Sequence, residues 1–192
     1  MSTLNEQLQR AIDSAMPAIS AQIGADPDKT RTAAQGAVPL LRGALHRNAQ
    51  RPEGAEALNN ALNRDHDGSV LDSLGDLVGN PQSGQGEAIL RHVLGAKQGA
   101  AEGALSQFAG LDKGSITKLL VLLAPMLLGM LGKKQREQGG GARDLPRILR
   151  GEEEAARRGG GGLGDLIGGV LGQGSQKPGC LGLLGGLLGS RR

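Results

Sequence analysis

Asn63, Asp65, Asp67, Ser69 and Asp72 lie on one short stretch, NRDHDGSVLD, that could hold a calcium ion. A hard cation takes oxygen ligands at loop positions one, three and five, with glycine at six for the sharp turn. Asn63, Asp65, Asp67 and Gly68 fill those places. Position twelve of such a loop supplies a bidentate glutamate. Here it is Leu74, and the nearest carboxylates, Asp72 and Asp76, fall two places to either side. The competing reading is a turn at Asp67-Gly68-Ser69, with Asp67 or Ser69 capping a helix that begins at Val70.

Little else in the chain is arranged for chemistry. His46, His66 and His92 are far apart and lack a neighbouring Cys or Glu at zinc-ligand spacing. The serines have no nucleophile-elbow context, and Cys180 sits in PGCLGLLGG, where nothing lowers its pKa. The run GGGGLGDLIGG has no strand before it and no Lys-Ser or Lys-Thr after it, so a phosphate-cradling loop is disfavoured. These residues predict no enzyme and no cofactor. A lone cysteine and a polar, acid-containing start, MSTLNEQLQRAID, predict a cytoplasmic location.

The elements that would position any site are helices. Of 192 residues, 38% are hydrophobic but only 1% aromatic, with Phe108 the single ring, so the core must come from Leu, Ala, Ile, Val and Met. Such a core suits helices better than strands, which favour β-branched and aromatic residues. Leu4, Leu8, Ala11, Ile12, Ala15, Ile19 and Ile23 repeat at the spacing that only a helix gathers on one face. Gly24 ends that helix, and Asp26-Pro27 opens a second, a capping oxygen followed by proline in the first turn. Further helices are predicted from Pro52 to about Leu62, Val70 to Val78, Glu87 to Leu94, Gln98 to Ala109, Asp112 to about Lys134 and Asp144 to about Arg158. The apolar run Leu119 to Leu131 spans 13 residues and contains Pro125. It is short of the roughly 20 that cross a bilayer, so it reads as a buried central helix.

Ser20, Gly24, Asp26, Pro39, Leu41, Gly43 and Leu45 recur 86 positions later as Ser106, Gly110, Asp112, Pro125, Leu127, Gly129 and Leu131. The constant offset predicts two copies of one helical unit about a pseudo-twofold axis. Pro39 and Pro125 should bend their helices, and Gly43 and Gly129 should let them approach where they cross.

Charge divides the chain. Residues 1–132 carry net −2, whereas residues 133–192 carry net +5 and 18 of the 34 glycines. Nucleic-acid binding would draw on Lys133, Lys134, Arg136, Arg143, Arg147, Arg150, Arg157 and Arg158, but stacking rings are absent and Glu152 to Glu154 interrupt the charge, so nucleic acid is disfavoured. The last stretch, LGLLGGLLGSRR, could lie in a membrane interface or dock on a protein.

The stretch from Ile23 to Lys134 resembles a known family. IGADPDKTRTAAQGAVPLLRGALHRNAQRPEGAEALNNALNRDHDGSVLDSL, GEAILRHVLGAKQGAAEGAL and LAPMLLGMLG are similar to the YidB-like bacterial family, domain of unknown function 937. Its DHDG segment corresponds to Asp65 to Gly68 and its Pro-x-Leu-x-Gly segments to Pro39 to Gly43 and Pro125 to Gly129. The resemblance implies a multihelical fold and carries over no activity, catalytic residue or cofactor.

The expected architecture is therefore an all-α bundle of about seven or eight helices, with a YidB-like domain over 1–136 whose repeat halves are 4–62 and 96–136. A charged, Gly/Leu-rich helix and flexible tail would fill 137–192. The expected function is a noncatalytic interaction or assembly module, homo-oligomeric or bound to a protein partner. The alternatives are a peripheral membrane protein held by the Leu/Gly/Arg tail and a calcium-responsive module.

Overall fold

The computed structural model describes residues 4–64 and 85–150, and all regular structure in them is helical. The α-helices are α1 (Leu4–Ile23), α2 (Pro27–Ala49), α3 (Pro52–Arg64), α4 (Gln85–Leu94), α5 (Gln98–Ala109) and α6 (Lys113–Glu137). A 3-10 turn, Gly95–Lys97, joins α4 to α5, and residues 145–150 are helical. The sequence places α1 and α5 at these bounds. The helix it predicts over Val70 to Val78, and the end of the one beginning at Asp144, lie outside the described residues.

α2 and α6 form the centre, each packing against all five other helices. Their sequences differ in how they achieve this. The stretch Leu119 to Leu131 of α6 is apolar all round, as a segment enclosed on every side must be, and Leu119, Leu120, Leu122, Leu123, Met126 and Leu127 are all buried. α2 instead uses small residues: Ala33, Ala34, Gly36 and Ala37 are buried, and a Cβ on Gly36 would stand 2.8 Å from Leu105 and 3.2 Å from the ring of Phe108. α5 thus lies directly on the α2 backbone. α1 closes one side with Leu8, Ile12, Ile19 and Ile23 of the periodic face read from the sequence, joined by Met16, which that reading did not include. Pro39 and Pro125 both lie inside their helices, and Gly43 and Gly129 are buried.

By length and composition α6 is also able to cross a membrane, with mean hydropathy 1.8, but 78% of that stretch is buried inside the bundle. Its apolar surface is thereby used up in the core.

The two turns that feed the central helices are built alike. Gly24 and Gly110 adopt φ +71° and +63°, a conformation that favours glycine. Ala25 N–H donates to the Ser20 carbonyl at 3.1 Å, and Leu111 N–H donates to the Ser106 carbonyl at 3.3 Å. Asp26 then caps α2, its Oδ1 accepting from the N–H groups of Asp28 and Lys29. Asp112 caps α6, accepting from Ser115 N–H at 3.0 Å and from the Ser115 hydroxyl at 2.6 Å. The hydroxyl bond first, and the backbone bond second, hold the Asp112 carboxyl below its ordinary range.

Candidate functional site

A half-open groove of about 940 Å³ runs between α3 and α4, with Leu45 of α2 and Leu128 of α6 in its lining. Its walls follow from helical periodicity. On α3 the lining residues Gly54, Ala57, Leu58 and Ala61 fall at i, i+3, i+4 and i+7, a single face. On α4 Ala88, Ile89, His92 and Val93 fall at i, i+1, i+4 and i+5, two adjacent i/i+4 rows on one side of the helix, and Leu94 continues the wall into the 3-10 turn. The alanines leave space that larger side chains would fill.

Asn48, in the last turn of α2, sets one end of the groove. Its side-chain amide donates to the carbonyls of His92 at 3.3 Å and Val93 at 3.0 Å, so the end of α4 is fastened to the end of α2. The Asn48 carbonyl accepts from Arg51 N–H at 3.2 Å in the turn to α3. A Cβ on Gly54 would collide with that same carbonyl, so only glycine lets α3 start so close to α2. At the other end of α4 a Cβ on Gly86 would come within 2.5 Å of the Val121 carbonyl, which brings α4 close against α6. The outer side of α3 is tied to α6 by buried Gln135, whose amide donates to Asn59 Oδ1 at 2.6 Å.

Because α3 begins and α4 ends beside Asn48, the two walls run in opposite directions. Every Lys, Arg, Asp and Glu among the described lining residues gathers at that end: Arg47, Arg51, Glu53 and Lys97. The opposite end, toward Ala61 and Ala88, is apolar. His92 and Glu53 both reach the lining and both are exposed.

Of the residues singled out for calcium, Asn63 is exposed in the last turn of α3. Asp65, Asp67, Ser69 and Asp72 lie outside the described residues, as do His66, Cys180 and the Leu/Gly tail. Among the described residues no group of three or more His, Cys, Asp or Glu side chains is placed to share a metal ion. His46 is buried in α2 and His92 is exposed on α4. The groove itself escapes sequence reading, since four separate segments build it; the only local sign is the α3 face of small residues.

These features define an all-α protein with an open apolar groove, charged at one end. The chain belongs to DUF937, a family of bacterial proteins of unknown function, whose model matches residues 3–135. That span includes every described residue of the groove. Neither the curated proteins nor the solved structures contain a match to it.

Proposed function

We propose that this protein is a noncatalytic interaction module and that the groove between α3 and α4 is its recognition surface. The observation that carries the reading is the groove's construction: a largely apolar track whose charges, among the described residues, gather at one end, with its walls set by the close backbone approach at Gly54 and the Asn48 side-chain amide. Such a surface binds by shape and burial. The body that bears it is, in this reading, a duplicated helical unit. The matched turns at Gly24 and Gly110, the capping aspartates and the two proline-containing central helices support the duplication.

The test compares the full chain with Ala57→Phe and Ala88→Phe, which place rings in the groove from either wall. Each is used to capture proteins from bacterial lysate, and any protein retained by the parent is purified and its binding remeasured with pure components. Binding by the purified protein, weakened about tenfold or more by both variants, is the expected result. Capture of nothing, or binding that both variants leave intact, overturns the assignment of recognition to this groove.

A further inference from the structure

We infer that the groove between α3 and α4 is the seat of this chain's own segment Leu181 to Leu188, docked through a face of leucines. This rests on the reading of the groove as a recognition surface and adds an occupant that a partner must displace. Ala57 and Ala61 line the groove from α3 and Ala88 from α4, while Ile89 and Val93 beside them are only half-buried. Small residues on both walls leave room for branched side chains, and apolar groups left partly open gain from being covered.

The occupant is chosen by its pattern. LGLLGGLLG, Leu181 to Gly189, holds five leucines, four glycines and no polar side chain. At the helical advance of about 100° per residue the leucines gather in one arc of about 160° and the glycines in an opposite arc of about 100°. A strand would instead divide the leucines between both faces. As a helix, Leu181 to Gly189 is about 12 Å long, and the α3 wall from Gly54 to Ala61 is about 10 Å. Four glycines weaken such a helix in isolation, so it gains its order from the contact.

The tether allows the docking. The 30 residues between Arg150, where the described residues end, and Leu181 extend to about 100 Å. α6, the longest helix of the body with 25 residues, is about 37 Å long, so the segment reaches any face. Leu163 to Leu171, a second Leu/Gly stretch, follows only 12 residues after Arg150, about 45 Å at full extension, which leaves little for passing round the body. A tether of 30 residues supplies an effective concentration on the order of a millimolar, enough to seat a segment whose free peptide would bind weakly.

Cys180 adjoins the segment and serves as the probe. In the full chain, Glu53→Cys and Ala61→Cys place a second cysteine at either end of the groove, and Ser14→Cys places one on the exposed side of α1. A disulfide needs Cα atoms within about 7 Å. Because segment and wall match in length, oxidation of dilute protein should join Cys180 to one groove position within a single chain, about tenfold or more faster than to Ser14→Cys, read by nonreducing mass spectrometry. Leu184→Asp with Leu188→Asp, or Ala57→Phe with Ala88→Phe, should slow that bond about tenfold, with circular dichroism showing each variant folded. Without any added cysteine, hydrogen exchange at Leu181 to Leu188 should be slower in the parent than in the chain with both aspartates.

Equal rates at all three cysteine positions, a disulfide that joins two chains, or exchange at Leu181 to Leu188 as fast in the parent as in the aspartate variant overturns the docking. These readouts need no partner, so the two readings fail separately. A purified partner lost with Ala57→Phe, in a chain whose Cys180 forms no groove disulfide, leaves the groove as the recognition surface and strikes only the tail.

Discussion

The side-chain amide of Asn48 donates to the carbonyl oxygen of Val93 across 3.0 Å, joining the last turn of α2 to the last turn of α4 over 45 residues of sequence. Helix C-termini leave carbonyls without partners inside the helix, and Asn48 satisfies two of them on a neighbouring helix while its own carbonyl serves the turn to α3. One residue thereby sets the spacing of both groove walls.

Asn48→Ala removes both amide bonds and leaves the exposed carbonyl of His92 and the half-buried carbonyl of Val93 to water. A loss of about 1–2 kcal/mol is expected, read from urea unfolding. Hydrogen exchange should quicken most at the end of α4. A uniform change across the bundle would show that Asn48 is not a local fastening.

Two glycine substitutions should have opposite signs. Gly103 lies within α5, where an added Cβ meets nothing nearer than Lys113 Cε at 3.9 Å. Gly103→Ala should therefore stabilise by about 0.5–1 kcal/mol, the usual gain of alanine over glycine in a helix. Gly54→Ala gains the same propensity but drives its Cβ into the backbone of Asn48, which cannot swing aside. It should melt below the parent and displace α3, so a raised melting temperature would contradict the contact.

The Asp112 cap carries a pH signature. Its carboxyl is held below the ordinary carboxylate range, chiefly by the Ser115 hydroxyl and then by the Ser115 N–H. A folded pKa beneath the unfolded one contributes stability that is fully present above pH 4 or so and is lost as pH falls through the folded value. Melting temperatures of the parent and of Asp112→Ala should therefore differ at neutral pH and converge as the solution is acidified below about pH 4. A gap that stays constant down to strongly acid pH would assign the effect to something other than the ionised cap.

Gln135 is buried, and its amide meets Asn59 Oδ1 at 2.6 Å. Gln135→Ala leaves Asn59 half-exposed and able to reach water, whereas Asn59→Ala strands the Gln135 amide inside the bundle. A double-mutant cycle should return a coupling of about 1 kcal/mol, with Asn59→Ala the costlier of the single changes once the lost packing of the longer Gln135 side chain is allowed for.

A core substitution sets the scale for these effects. Leu120 of α6 is fully buried in the midst of the bundle, and Leu120→Ala should cost about 2–5 kcal/mol by chemical denaturation.

The helices were legible because their causes are local. The helical spacing of Leu4, Leu8, Ala11, Ile12, Ala15, Ile19 and Ile23 specifies one face, of which Leu8, Ile12, Ile19 and Ile23 are fully buried, and Asp26-Pro27 and Asp112 mark helix starts whose capping bonds need only the next few residues. The even hydrophobicity around Leu119 to Leu131 identifies a helix with no solvent side, and its place among five others bears this out. The close approaches were less legible. Pro39, Gly43, Pro125 and Gly129 drew attention in sequence, whereas Gly54 and Gly86, where an added Cβ would collide with the Asn48 carbonyl and that of Val121, did not. A glycine's neighbour across a helix interface has no fixed spacing in the chain.

By itself, then, the sequence determined an all-helical body, the ends of its main helices and the capped glycine turns that lead into both central ones, since propensity, periodicity and capping act within a few residues. Only the tertiary structure decided that Arg47, Arg51 and Lys97 share one end of a groove whose far end is lined by Ala61 and Ala88. That arrangement depends on the antiparallel setting of α3 and α4 against α2 and α6, fixed by the hydrogen bonds of Asn48 and the backbone contact at Gly54, and packing between distant segments leaves no periodic trace in the chain.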